Sequence, residues 1–236
     1  QAGNFQNQIF QMIEGEKLGS FWGYTFAGVW QEDDVNAPFV DANGQTNGKT
    51  NGEVYKVKPG NSKYVDVNKD GVYNDADQGI IGCGQPTFNW GWNNTFNYKN
   101  FDFSFFVVGF HGFDIYNATH QMGYNLIKSQ QMAGVTPMRE LLNRWTPTNT
   151  NTDIPGFVKG GTENKDFFST RFVENGSFIK MKSITLGYTL PEATCRSLGI
   201  NNLRVYASVQ NPFHITKYSG LDPEATMGSP LVQGVD

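Results

Sequence analysis

Between Phe88 and Phe110 the chain reads FNWGWNNTFNYKNFDFSFFVVGF, and its apolar residues keep a period of two. Phe88, Trp90, Trp92, Phe96 and Tyr98 fall on one parity, and Asn89, Gly91, Asn93, Thr95 and Asn97 on the other. Side chains alternate across a strand, so one face is aromatic and the other rich in amides and hydroxyls. After a tight turn at Lys99-Asn100, Phe101, Phe103, Phe105 and Val107 alternate with Asp102, Ser104, Phe106 and Val108. A soluble sandwich also alternates, but its outward face carries Lys, Glu and Thr rather than small amides opposite Trp and Phe. Strands of about ten residues, apolar outside and polar inside, with aromatic ends, characterise transmembrane β-barrels.

The pattern recurs downstream. Ser177 to Leu190 sets Ile184, Leu186, Tyr188 and Leu190 against Ser183, Thr185, Gly187 and Thr189. Leu203 to Asn211 sets Leu203, Val205, Ala207 and Val209 against Arg204, Tyr206, Ser208 and Gln210. Upstream, Phe21 to Trp30 alternates Trp22, Tyr24, Phe26 and Trp30 with smaller residues, whereas residues 1–19 are polar and without period. The pattern predicts strands near 20–30, 86–98, 101–112, 177–190 and 203–212, antiparallel and adjacent in sequence order. Trp90, Phe103, Leu186 and Val205 then face outward. The polar parity lines a lumen with Asn89, Asn93, Asn97, Asp102, Arg204, Tyr206 and Gln210, while Phe106 and Phe110 interrupt it and are expected to pack against a plug or loops.

Between the strands lie two long connections, 31–84 and 111–176, the second with a helical patch at Met132 to Trp145. Loops of that length are normally functional or disordered. They alternate with short connections at Lys99-Asn100 and 191–202, as in outer-membrane barrels, whose long loops are extracellular and whose turns are periplasmic. Cys83 and Cys195 then lie across an apolar band of about 25 Å. A disulfide needs Cα atoms within about 7 Å, so none is expected between them. The predicted class is all-β: a transmembrane antiparallel β-barrel, represented by strands with long extracellular loops.

Composition agrees. At 236 residues and 38% hydrophobic content the chain has a mean hydropathy of -0.46, and no run approaches the length of a transmembrane helix. A barrel escapes that test, because only alternate residues meet lipid. The 19 Phe, 10 Tyr and 5 Trp suit interfacial girdles. A net charge of -4 without charge blocks argues against nucleic acid as a partner. QAGNFQNQIF has neither the basic nor the apolar region of a signal peptide, as expected of a mature, truncated or partial chain. The cysteines form no CxxC pair, and His111, His120 and His214 lie apart without metal spacing. No nucleophile elbow, phosphate-cradling glycine loop or paired-carboxylate environment supports catalysis, so an enzyme is not expected.

One motif carries metal chemistry. Asp66-Val67-Asn68-Lys69-Asp70-Gly71, continued to Asp77, fits the spacing of a calcium loop, with oxygen ligands at positions 1, 3, 5, 7, 9 and 12. The implied ligands are the side chains of Asp66, Asn68, Asp70, Asn74 and Asp77 and the carbonyl of Val72. Position 12 is Asp rather than Glu, which shortens bidentate reach, and no amphipathic helices flank the loop. The plain alternative is an Asp/Asn-rich surface turn. Trp30, Asp33, Asp34, Tyr116, Tyr124 and Trp145 in the long loops offer stacking and hydrogen bonding to a sugar, or ordinary loop packing.

Several segments, in order, resemble the C-terminal part of SusC/RagA-type TonB-linked outer-membrane transporters of Bacteroidetes. They are GSFWGYTFAGVWQ (19–31), YVDVNKDGVYNDADQGIIG (64–82), YKNFDFSFFVVGFHGFDIYN (98–117), NRWTP (143–147), FVENGSFIKMKSITLGYTLP (172–191) and LRVYASVQNPFHITKYSGLDPE (203–224). The resemblance implies that residues 1–236 are a barrel portion of a longer protein, with the plug domain, the TonB-contacting segment and most strands absent from this chain. It further implies TonB-driven import across the outer membrane of an oligosaccharide, or less often a peptide, delivered by a SusD-like surface lipoprotein. A different class, a soluble calcium-stabilised carbohydrate-binding or adhesion module, would require a covered sheet with a polar outer face.

Overall fold

The computed structural model describes residues 14–124, 138–156 and 167–224. In chain order the strands are β1 (Ser20–Tyr24), β2 (Phe26–Val29), β3 (Pro38–Val40), β4 (Thr46–Thr50), β5 (Ser62–Tyr64), β6 (Gln78–Cys83), β7 (Phe88–Tyr98), β8 (Phe101–His111), β9 (Asp114–Tyr116), β10 (Val173–Asn175), β11 (Phe178–Thr189) and β12 (Arg204–Thr216). The long strands β7, β8, β11 and β12 form one antiparallel sheet in the order β12-β11-β8-β7, adjacent in sequence order as the pattern predicts. β7 and β8 meet at the Lys99-Asn100 turn, where Lys99 takes a left-handed φ of 52°.

Register keeps the two parities apart over the whole sheet. On one face Phe96 lies opposite Phe103, Phe103 opposite Leu186 and Leu186 opposite Ala207. On the other, Thr95, Ser104, Thr185 and Ser208 form a single row. The apolar face is open: Phe96 is 54% exposed and Val205 59%. No helix packs over it among the described residues. An 11-residue strand is about 37 Å long and, at a tilt near 40°, rises about 28 Å, which matches the apolar band of an outer-membrane barrel.

One irregularity maintains this order. Between Met181 and Ser183 the register shifts against both neighbours, leaving Lys182 as the extra residue of a bulge. β12 answers with Asn211-Pro212, where Asn211 takes a φ of 48° and proline sits where a ladder donor is missing. Strict alternation would set Lys182 on the apolar face with Ile184 and Leu186. The bulge returns it to the polar face beside Lys180.

The two clusters of buried residues lie at and beyond the end of the sheet where β8 finishes and β11 begins. Val108, Phe113, Ile115, Phe178 and Tyr218 form one cluster, and Phe21, Tyr116, Ala118 and Phe172 another. Phe110 stacks on Phe178 of β11 at 5.2 Å and packs against the cluster that holds Phe113 and Tyr218. Phe106 remains 36% exposed.

Two expectations are corrected. Residues 20–30 are not a fifth wall strand: β1 pairs with β6 and β2 with β5, apart from the four-stranded sheet. The segment breaks at Thr25, and the β2 register shifts near Gly28, which has a φ of 106°. The connection 31–84 is not irregular either. It holds β3 to β6 and short helices at Glu32–Asn36 and Asn51–Tyr55, the latter closed by a capping box from Thr50 and Glu53. Strands of three to six residues carry too few positions to reveal a period. Of the predicted helical patch, Met132 to Thr136 and Pro137 lie outside the described residues, and Arg139–Asn143 is a 3-10 turn.

Candidate functional site

Two regions hold the residues that the sequence singles out: the polar face of the sheet and the Asp66–Asp77 loop. On the polar face, groups of opposite strands satisfy one another. Thr185 and Ser208 hydroxyls lie 2.8 Å apart. Arg204 donates to Asp102 through Nε at 3.0 Å and Nη2 at 2.6 Å, reaching across β11. That span is possible because residue 187 is glycine; a Cβ there would overlap the Asp102 carboxylate and the Arg204 guanidinium. Asn89, Asn93 and Asn97 follow along β7, and Tyr206 and Gln210 along β12, all on this face.

At the far end of the face the segment after β12 folds back over the sheet. Lys180, only 6% exposed, donates to Asp222 and to Glu224, each at 2.7 Å, and Lys182 also donates to Glu224. Glu174 accepts from the Ser219 amide and hydroxyl, each at 2.8 Å, and from Asn117 at 2.8 Å. Sequence reasoning passed over this strap. The bulge that delivers Lys182 breaks the parity by which residues were sorted, and ion pairs some 42 residues apart leave no local signal.

The Asp66–Asp77 loop is a closed hydrogen-bonded ring. The Asp70 amide lies 3.3 Å from Asp66 Oδ1 and 3.1 Å from Asn68 Oδ1. Asp66 Oδ2 accepts from the Gly71 amide and the Tyr55 hydroxyl, each at 2.8 Å. The Asn74 side-chain amide bridges Asp70 Oδ2 at 3.0 Å and the Val72 carbonyl at 3.2 Å. Five of the six candidate ligands therefore share one ring. The sixth, Asp77, is 3% exposed and accepts from the Val67 and Asn74 amides at 2.8 and 3.0 Å. Left-handed backbone at Lys69 and Gly71 gives the loop its tight path.

Hydrogen bonds from the Val72 amide and the Asn68 side chain hold the Asp70 carboxyl below the usual carboxylate range. Burial and the bond to Asp66 push the Tyr55 phenol up, and burial pushes Tyr73 up to about 12. Among the described residues, no three of His, Cys, Asp and Glu gather in a metal-binding group. The loop draws instead on amide and carbonyl oxygens of Asn68, Asn74 and Val72, which suit a hard cation such as calcium.

The loop residues considered for sugar binding do not form one site. Trp30 and Tyr116 are 3% and 0% exposed, so neither offers a ring face. Asp34 pairs with Lys63 at 3.0 Å, and Trp145 donates to Gln31 at 3.0 Å. Tyr124 lines a separate cavity of about 260 Å³ with Glu140, Asp153 and Arg171. Cys83 and Cys195 are free thiols.

Comparison with known proteins bears on this arrangement. The chain is 34% identical over 224 residues to TonB-dependent receptor P3 of Formosa agariphila, covering 94% of this chain. It is 32% identical over 173 residues to TonB-dependent receptor SusC of Bacteroides thetaiotaomicron, covering 72% of this chain. The chain belongs to the SusC/RagA family of TonB-dependent receptors. It spans about a fifth of the length of the curated relatives it matches. A comparison with protein-family models finds no match. Among solved structures, the RagAB peptide importer in its closed-closed state superposes with a TM-score of 0.63 at 20% identity, over 97% of this chain and 23% of that one. The open-open state gives 0.63 over 99% of this chain. This likeness shows that the chain shares its antiparallel strand fold with about a quarter of the importer chain.

Proposed function

We propose that the protein carrying this chain imports oligosaccharides across the outer membrane, driven through TonB and supplied by a SusD-like surface lipoprotein. In this reading the chain is a C-terminal part of the barrel. The observation that carries it is the two-faced sheet, whose open apolar face suits lipid and whose polar face suits a lumen. That polar face also favours a neutral polyhydroxylated solute over a charged one. Much of its surface is amide and hydroxyl, from Asn89, Asn93, Thr95, Asn97 and Gln210, with exposed rings at Phe106 and Tyr206 that can stack on a sugar, while Asp102 is paired with Arg204. Deleting the gene and measuring growth on single oligosaccharides and on peptides tests the reading. Loss on a glycan alone supports it; loss on peptides alone replaces it with peptide import.

A second reading concerns the Asp66–Asp77 loop: a calcium ion held by Asp66, Asn68, Asp70, Asn74, the Val72 carbonyl and Asp77, which pins an extracellular loop. Its support is the shared ring, in which the Asn74 amide bridges the same Asp70 and Val72 oxygens that the spacing assigns to the ion. Metal analysis of the purified protein should then find calcium, and a chelator should speed protease cleavage within 66–77. If the metal content is nil and chelator leaves cleavage unchanged, the loop is an Asx-rich turn and nothing more.

A further inference from the structure

A cleft of about 320 Å³ lies between helix Asn51–Tyr55, β5 and the Asp66–Asp77 loop. That size belongs to the small end of ligand pockets. Its walls are Val54, Tyr55, Val57, Tyr64, Tyr73 and Phe167. Tyr55 and Tyr73 stack at 5.2 Å with an interplanar angle of 24°, and Tyr64 meets Phe167 edge-on at 5.2 Å. Each phenol oxygen is already engaged. Tyr55 donates to Asp66 at 2.8 Å, Tyr73 accepts from the Tyr64 amide at 3.3 Å, and Tyr64 accepts from the Phe167 amide at 3.2 Å. The cleft therefore offers ring edges and methyl groups with Ser62 and Lys56 as its polar side chains, a poor match for a sugar ring, whose several hydroxyls each need a partner.

Charge enters at the rim. Lys56 lines the cleft, is itself exposed, and has no carboxylate partner among the described residues. Its backbone is left-handed, with φ 54° and ψ 46°, at a helix C-cap where glycine is the unstrained choice. The chain thus carries a cationic side chain at the mouth of a hydrocarbon cleft, on a backbone position that disfavours it.

We propose that this cleft binds an anionic ligand with a single aromatic or branched hydrocarbon body, held against Val54, Val72 and the outer edges of the tyrosine pair, and a carboxylate paired with Lys56. Such a group is found on a free aryl acid or on the C-terminal residue of a peptide. The site lies outside the sheet and does not depend on which solute crosses the lumen.

The test uses the detergent-solubilised full-length protein, with binding followed by ligand-observed NMR and calorimetry. The probes are 3-phenylpropionate, neutral 3-phenylpropanol, glucuronate and glycyl-phenylalanine. The acid should bind at least tenfold more tightly than the alcohol, and glucuronate should not compete. Lys56→Gly removes the ammonium and relaxes the left-handed backbone, so it should bring the acid down to the affinity of the alcohol and leave the alcohol unchanged. Val72→Trp, at a lip residue that is 58% exposed, should block both. The source follows from which binds better: the dipeptide assigns a peptide terminus, the propionate a free acid. Equal affinity for acid and alcohol, competition by glucuronate, no binding of either, or indifference to Lys56→Gly or Val72→Trp would each overturn the proposal.

Discussion

Gly187 shows how one missing side chain shapes a lumen wall. It lets Arg204 cross β11 to Asp102, so Gly187→Val should force the pair apart and strain the sheet locally, at a cost of about 1–3 kcal/mol for overpacking. Heat-modifiability of the barrel on gels should then appear at a lower temperature than in the parent; an unchanged transition would refute the spanning role. The strap residues give a second residue-scale expectation. Burial works to raise the carboxyls of Asp222 and Glu224, but the ammonium groups of Lys180 and, for Glu224, of Lys182 outweigh it, so both lie below their ordinary values. A depressed native value contributes stability that is present above the unfolded value of about 4 and lost as pH falls through the native one. The strap should therefore stay fastened at neutral pH and come free only in strong acid. Hydrogen exchange of residues 217–224 checks this, and release already between pH 7 and 5 would contradict it. Lys180→Met with Lys182→Met should loosen the same segment at neutral pH by on the order of 1–2 kcal/mol, between the exposed and buried limits for ion pairs.

Among the elements, β11, with its bulge at Lys182, is the most exacting. A one-residue slip turns every side chain of a strand to the opposite face. Lys182 is the residue in excess, so deleting it should close the ladder without a slip, Met181 opposite Val107 and Ser183 opposite Phe106, whereas inserting one alanine after Thr185, where no bulge absorbs it, should turn half of β11 to the wrong face and abolish assembly of the protein in the outer membrane. Replacing Lys182 with Ser keeps the count and should assemble normally. What the sequence revealed follows the same logic. β7, β8, β11 and β12 were legible because each runs 11 or more residues, most of them alternating apolar with small or polar side chains. Strand character at 20–30 was legible too, as β1 and β2, but not their separate pairing with β6 and β5; β3 to β6 were not, being short, and β4 reads TNGKT. In the Asp66–Asp77 loop the ring of Asp66, Asn68, Asp70, Val72 and Asn74 follows directly from its spacing, since Asx side chains bond amides two residues on. The strap was hidden, as its partners on β11 and after β12 meet only once the sheet has formed.

For the whole molecule, sidedness is the property most open to measurement. β7 runs from Phe88 to the Lys99-Asn100 turn, so the segment 31–84, with the Asp41–Gln45 turn and the Asp66–Asp77 loop, leads into the sheet at the opposite end. Cysteines introduced at Asn43 and at Asn100 should therefore differ in intact cells: a membrane-impermeant maleimide should label the first and reach the second only after the outer membrane is opened. Labelling of both in intact cells would dismantle the assigned orientation.

The four-stranded sheet has a further consequence at this scale. Among the described residues, nothing pairs with the outer edge of β7 or of β12. Each edge presents on the order of ten backbone donors and acceptors, and in hydrocarbon every unpaired one costs several kcal/mol. Such a sheet is a link with two open hooks. Expressed by itself, it should concatenate with its own copies into ribbons before it ever meets a bilayer, and only further strands paired to both edges would close the two hooks. Solubility of this segment is therefore a property of its flanks rather than of its own residues, and swapping it between related receptors should succeed only where both borrowed borders match in register.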